Sequence, residues 1–328
     1  MENQTQGREE VLGKIVALGE VVSDIYRGEE ISAVELGFVA RPGGAPANVA
    51  VAACRLGSEA AFVGSVGEDL FGDFILQALE SEGVDTSAVS RQSPPTRTSL
   101  AFVEIGADGD REFTFYRSSP AADELLSPED VVEDLVSGAS FVNFGSIPLI
   151  REPVRSATHR IAELARKLDV PLAFDVNFRE HLWESAEAAW EAVNPLLDLS
   201  TIVKLGDDEL SPLLGTDDVQ EAAGMLLDRG VSLVLVSKGP EGAFYATKEF
   251  SGEVPTFDVG DIVDATGAGD AFLAAALVHL SGKPLEEDRV REATLMGCAA
   301  GALACTDYGA MRALPTKQEL ERFMKADT

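Results

Sequence analysis

Short apolar runs alternate with amphipathic segments along most of this chain. KIVALGEVVSDIY, starting at Lys14, predicts an opening strand, and further strand-like runs follow at 60–66, 140–144, 171–175, 201–204 and 232–236. Between them, segments near 46–57, 69–82, 151–169, 186–198 and 217–229 carry the apolar spacing of helices. A strand followed by a helix, repeated, closes by right-handed crossovers, so the pattern predicts an α/β fold: a mainly parallel sheet with helices on both faces. The polar first residues are expected to fray as a tail over 1–13, leaving 14–328 as one domain without linker or internal repeat.

Two stretches, about 25–41 and 97–117, break the alternation. The second has period-two hydrophobicity around Ala107-Asp108-Gly109-Asp110, a β-hairpin signature. Together they predict a small sheet outside the main layer. At the carboxyl edge of parallel strands, where ligands bind such sheets, it would serve as a lid.

Candidate chemistry concentrates in two glycine-rich segments. Asp264-Ala265-Thr266-Gly267-Ala268-Gly269-Asp270 leads into the helix-forming run AFLAAALVHL. Amides at such a helix start sit at the positive end of the helix dipole and suit a phosphoryl anion, with Gly267, Ala268 and Gly269 as the donors. A carboxylate beside an anion site needs a task, and Asp270 is placed to take a proton from an attacking hydroxyl. Taken alone, the segment also fits an acidic first helical turn. In the other segment, Arg41 to Asn48, Gly43 and Gly44 let backbone approach a ligand, while Asn48 offers donor and acceptor to a polyol. Asp24, read as the end of the first strand, suits vicinal hydroxyls. A turn with a helix cap is the plain alternative.

Composition narrows the setting. The 328 residues are 45% hydrophobic, enough for a full core. No apolar run approaches the ~20 residues that span a bilayer, and MENQTQGREE is too polar for a signal peptide, so a cytoplasmic protein is expected. Cys54, Cys298 and Cys305 lack metal-type spacing and read as small buried hydrophobes in a reducing compartment. His159, His181 and His279 suggest neither a zinc site nor a triad. A net charge of −30 argues against nucleic acid or an anionic membrane as partner. It also repels ATP, so a polyanion site must rely on local donors and a metal ion; adaptation to high salt is another reading of the same charge.

The two segments, in this order and separation, resemble the PfkB (ribokinase-like) family of carbohydrate kinases. The resemblance covers about 15–315 and includes Ser237-x-Gly239-x-x-Gly242 and the GAMRALP ending at 309–315. It implies a ribokinase-like three-layer α/β/α sandwich with a small β-sheet lid. Within the family GGAPANVA, DGDREFTFYR, FGSIPLIREPVRSA and Asp175-Val176-Asn177-Phe178-Arg179 with Trp183 are similar to fructokinases.

By that resemblance the sugar is held by Asp24, Gly43, Gly44 and Asn48, with Phe102, Phe115 and Arg117 closing above it and Arg179 nearby. The 6-hydroxyl of fructose would face Asp270. ATP would lie along Lys204, Ser237, Gly239 and Gly242, with Glu209 organising Mg²⁺ through water. Gly206 stands where relatives carry Asn or Ser, with Asp207 as the substitute. Asp264 and Thr266 match a monovalent-cation site, which implies potassium, although Ala313 stands where ribokinases carry a serine. A lid-mediated homodimer is also implied. Kinases of 2-keto-3-deoxygluconate share the arginines and are the rival substrate class; a non-catalytic sugar-binding homologue is a further alternative. A nicotinamide Rossmann enzyme is disfavoured, because VALGEVVSD lacks the GxGxxG that should follow the first strand.

Overall fold

The computed structural model describes residues 13–32, 34–105 and 111–326. In chain order its strands are β1 (Lys14–Leu18), β2 (Val22–Ser32), β3 (Glu35–Gly43), β4 (Ala60–Gly67), β5 (Asp85–Gln92), β6 (Leu100–Ile105), β7 (Arg111–Tyr116), β8 (Ala139–Gly145), β9 (Leu172–Asp175), β10 (Ile202–Gly206), β11 (Leu233–Ser237), β12 (Ala243–Ala246) and β13 (Ser251–Val254). They form a nine-stranded sheet ordered β13-β12-β11-β10-β9-β8-β1-β4-β5, and a four-stranded sheet ordered β3-β2-β6-β7. The large sheet is parallel from β11 to β5; only the β11–β12 and β12–β13 pairings are antiparallel.

Alternation along β1 shows how the layers form. Ile15 and Ala17 pack with the helices Ala45–Arg55, Ala268–Leu280 and Glu287–Ala304, whereas Val16 and Leu18 pack with Val154–Lys167, Ala186–Leu197 and Val219–Asp228. All four side chains are fully buried. Burying a side chain of this size stabilises by about 1.5–3 kcal/mol, so two such cores on one sheet carry the fold. The helix Ala268–Leu280 is apolar nearly all round and buried along almost its whole length. Asp270 is the one carboxylate within it.

Helix starts follow their caps. Asp69 Oδ1 accepts from Phe71 N (3.1 Å) and Gly72 N (2.9 Å), and its Oδ2 accepts from Thr98 N (2.8 Å), fastening a helix start to the segment that leads into β6. Ser185 and Asp218 cap the helices at 186 and 219 in the same manner.

The structure divides the opening run. β1 ends at Leu18, and Gly19, at φ 155°, turns the chain where a Cβ would lie 2.6 Å from Pro46 Cγ. The chain then enters β2 of the small sheet, so Asp24 belongs to a lid strand and not to the end of the first one. The small sheet uses the two anticipated stretches, with β2 pairing parallel to β6 and antiparallel to β3. β6 and β7 pair antiparallel from Leu100↔Tyr116 to Ile105↔Arg111; the turn expected at Ala107–Asp110 lies outside the described residues, as does the tail up to residue 12. Gly13 is tied to the body, donating to Ser281 Oγ (3.2 Å) and accepting from Ser58 Oγ (2.6 Å).

Two strand groups escaped the sequence reading. β5 (DTSAVSRQ) is a polar edge strand with no buried residue, and the β12–β13 hairpin uses strands of only four residues. Neither has enough apolar alternation to stand out.

Candidate active site

A cleft of about 540 Å³ opens at the carboxyl ends of the parallel strands, roofed by the small sheet. Its lining comes from the segment after β1 (Glu20), from β2 and β6 (Asp24, Ala101), from the helix start at 44–48, and from the ends of β9, β10 and β11. Gly267, Gly269 and Asp270 close the floor.

Gly267 holds φ 83°, and a Cβ there would approach Ala310 Cβ to 3.0 Å. This left-handed residue is the N-cap from which the helix Ala268–Leu280 starts. Ala268 N, one of the three expected donors, instead bonds Ala265 O (3.2 Å), and Ala268 does not line the cleft. Asp270 is 8% exposed, and its Oδ2 accepts from Asn48 Nδ2 at 2.7 Å. Burial, then the Asp175 charge, raises its pKa to about 6 against the opposing effects of Asn48, Lys204 and Arg179.

The double glycine leaves room on both sides, and Gly44 is sterically required. A Cβ on Gly43 would overlap Asp24 Oδ2, and one on Gly44, at φ 113°, would lie 2.5 Å from Glu20 O. Asp24 is buried and its pKa is raised to about 7 by burial and by Asp264. Asn48 Oδ1 is buried without a hydrogen-bond partner among the described residues, as a group awaiting a ligand would be. Arg117 and Arg179 both reach the cleft. Arg117 is paired with Asp123 Oδ2 (2.8 Å) and Glu124 Oε1 (3.8 Å).

Phe102 does not close over the cleft. Asp24 pairs in register with Arg41 and Ala101, so these share the inner lid face, while Phe102, one residue on, takes the outer face. There it packs edge-on against Phe38 (5.6 Å) and against Tyr116 (4.9 Å). Phe115 pairs with Ala101 in register; its side chain lies outside the described residues.

On the other side of Asp270, Lys204 is buried with Nζ 3.0 Å from Asp175 Oδ1. Burial opposes its charge, but Asp175 and Glu209 outweigh that and raise its pKa. Nζ also lies 2.9 Å from where a Cβ of Gly269 would sit, so the glycine leaves room for the ammonium beside the loop. Glu209 accepts from Gly206 N (2.7 Å) and Phe178 N, and burial raises its pKa to about 7. Asp208, not Asp207, lines the cleft next to it; Asp207 Oδ1 accepts from Asp208 N (3.0 Å). Ser237 lines the cleft, whereas Gly239 and Gly242 do not. Those two shape the turn after β11, where a Cβ on Gly242 would overlap Val254 O.

Asp264 is fully buried behind the cleft. Its Oδ1 accepts from Thr266 N (2.8 Å), and its Oδ2 accepts from Gly309 N (2.9 Å) and Tyr26 Oη (3.4 Å). Thr266 itself lines the cleft. No group of three or more His, Cys, Asp or Glu side chains among the described residues could hold a metal ion unaided.

Residues outside the expected set also line the cleft: Glu20, Ile147, Asn177, His181 and Leu182. Asn177, at φ 42°, sits just beyond β9 in the quoted DVNFR stretch, so its place past a strand end was the available signal. Glu20 was hidden because the opening run was read as one continuous strand.

Residues 12–317 match the model of the pfkB family carbohydrate kinases. The chain therefore belongs to this family. It is 41% identical over 321 residues to a probable fructokinase of Arabidopsis thaliana, covering 95% of this chain and 97% of that protein. Among solved structures it resembles the Xylella fastidiosa fructokinase with bound ATP, at TM-score 0.86 and 31% identity over 96% of this chain and 98% of that one. A Vibrio cholerae fructokinase variant bound to fructose, ADP and potassium gives TM-score 0.85 and 32% identity over 96% and 99%.

Proposed function

We propose that this protein is an ATP-dependent fructokinase that phosphorylates the 6-hydroxyl of fructose, with Asp270 as general base. The observation that carries this reading is Asp270 itself: a buried carboxylate at a helix start, next to Gly267 and Gly269, held by Asn48 from the second glycine-rich segment. Similarity to fructokinases over nearly the whole chain supports the substrate. Asp24, Asn48 and the Gly43–Gly44 backbone would bind the sugar hydroxyls from the lid side. Asp270 would take the proton as the hydroxyl attacks in line, while amides at Gly267 and Gly269 face charge on the transferring oxygens.

The nucleotide would lie toward Lys204, Asp208, Glu209 and Ser237. Both Glu209 oxygens already accept backbone N–H groups, so Mg²⁺ would meet this side chain through water, which suits an ion that keeps several waters and binds chiefly through phosphates. When bound, it would neutralise phosphate charge. Asp264 and the Thr266 backbone would face a monovalent cation, and the potassium bound in the Vibrio cholerae relative makes potassium the candidate.

The outer lid face, with Phe38 51% and Tyr116 61% exposed, supports a homodimer through the small sheet. Sedimentation should then give a dimer that Phe38→Asp converts to monomer. No helix among the described residues is long and apolar enough to cross a membrane, and the three free cysteines favour a reducing, cytoplasmic setting.

A coupled ADP-release assay with Mg²⁺-ATP and a sugar panel tests the assignment. Fructose should exceed ribose and 2-keto-3-deoxygluconate by about tenfold or more in kcat/KM. Preference for the keto-acid would overturn the substrate, and no ADP with any sugar would overturn the enzyme.

A further inference from the structure

Phosphoryl transfer leaves one buried titratable group in the cleft without a task. Glu20, two residues past the end of β1, is 6% exposed. Its Oε1 accepts from Ala45 N at 3.3 Å, and its Oε2 is buried without a hydrogen-bond partner among the described residues. An orphaned buried oxygen costs free energy that a ligand hydroxyl would recover. Glu20 also stands where the cleft meets a second cavity of about 310 Å³, which shares Glu20, Arg117, Ile147 and Leu182 with it.

We propose that Glu20 is a further acceptor-binding residue: its carboxyl, with Oε2 buried and without a hydrogen-bond partner among the described residues, donates a hydrogen bond to a hydroxyl of the acceptor sugar. The inference rests on the reading of this cleft as the acceptor site.

The surroundings agree with this role. The charged groups facing Glu20 are Asp123 and Arg117 beyond β7 and Asp270 on the floor. Burial, aided by Asp123 and Asp270 and opposed by its backbone hydrogen bond and Arg117, pushes the carboxyl up to about 8. At neutral pH it is therefore mostly a donor. Asp123 is itself buried, accepting from Ser99 Oγ (2.5 Å) and Arg117 Nη2 (2.8 Å). Glu124, on the same wall, lies 3.3 Å from Arg151 Nε.

Steady-state kinetics of Glu20→Ala and Glu20→Gln with Mg²⁺-ATP and fructose, from pH 6 to 9, test this. Glu20→Ala should raise the fructose KM about tenfold with little change in kcat, the mark of lost binding common to ground and transition states. Glu20→Gln, which keeps a neutral donor, should hold KM within about threefold. It should also abolish the rise in KM expected of the wild type above pH about 8, where Glu20 ionises. If Glu20→Ala does not fold, the pH dependence of the Glu20→Gln fructose KM decides alone. An unchanged KM in Glu20→Ala, or a wild-type rise retained in Glu20→Gln, overturns the role of Glu20 while sparing the kinase. Absence of turnover by the wild type overturns the kinase reading and this role with it.

Discussion

Asn48 and Asp270 are joined by a 2.7 Å hydrogen bond although 222 positions separate them. The bond crosses from the first turn of the helix Ala45–Arg55 to the first turn of Ala268–Leu280, two helices packed on the same face of the sheet. Each glycine-rich segment is a loop that breaks into a helix, and the fold sets the two helix starts side by side. The amide fixes the carboxylate oxygen and favours its charged form.

If Asp270 is the base, Asp270→Ala should lower kcat by roughly 10²–10⁴-fold or more. Its melting temperature should not fall, because burial disfavours this charge in the folded state. Single-turnover rates beside a calorimetric melt check both halves; normal turnover in the variant would refute the mechanism.

The acid limb of kcat/KM should lie near pH 6, activity rising as Asp270 loses its proton. Asn48→Ala removes a hydrogen bond that lowers this pKa, so its limb should move to higher pH, alongside a raised sugar KM. A limb in Asn48→Ala that stays put would show that the amide does not tune the base.

Lys204 and Asp175 form a buried pair at 3.0 Å. Replacing Lys204 by Met strands Asp175 and should cost about 3–5 kcal/mol in stability. Adding Asp175→Asn should recover much of that loss. Denaturant melts of the two single variants and the double variant measure the coupling; additive effects would mean that the pair is not energetically linked.

The ligand-free protein should lose stability as pH rises from about 5 to 8. Glu20, Asp24, Glu209 and Asp270 have folded pKa values of about 8, 7, 7 and 6, all above their unfolded values. Over that window the folded state binds more protons than the unfolded one, so unfolding free energy falls with pH. Asp69, Glu82 and Asp85 are shifted the opposite way and keep their contribution until the acid range. Calorimetry at constant ionic strength should place the maximum melting temperature on the acid side of neutrality; a maximum near pH 8 would contradict the burial of these carboxyls.

Much of this molecule was legible in the chain. Five strand runs and five helical segments fall within a few residues of their observed places, because strands covered on both faces read as short continuous apolar runs while helices bury one face with period 3.6. The two glycine-rich segments were equally readable, since positive φ and close approach exclude a Cβ wherever they occur. Tertiary structure decided the rest. It split the opening strand at Gly19 and put Asp24 in the lid, and it turned Phe102 outward because register alone assigns a strand residue to one face. It also made Asp208 rather than Asp207 line the cleft and brought Glu20 to its edge. Those outcomes depend on which elements pack against each other across the whole chain, and local periodicity carries no record of that.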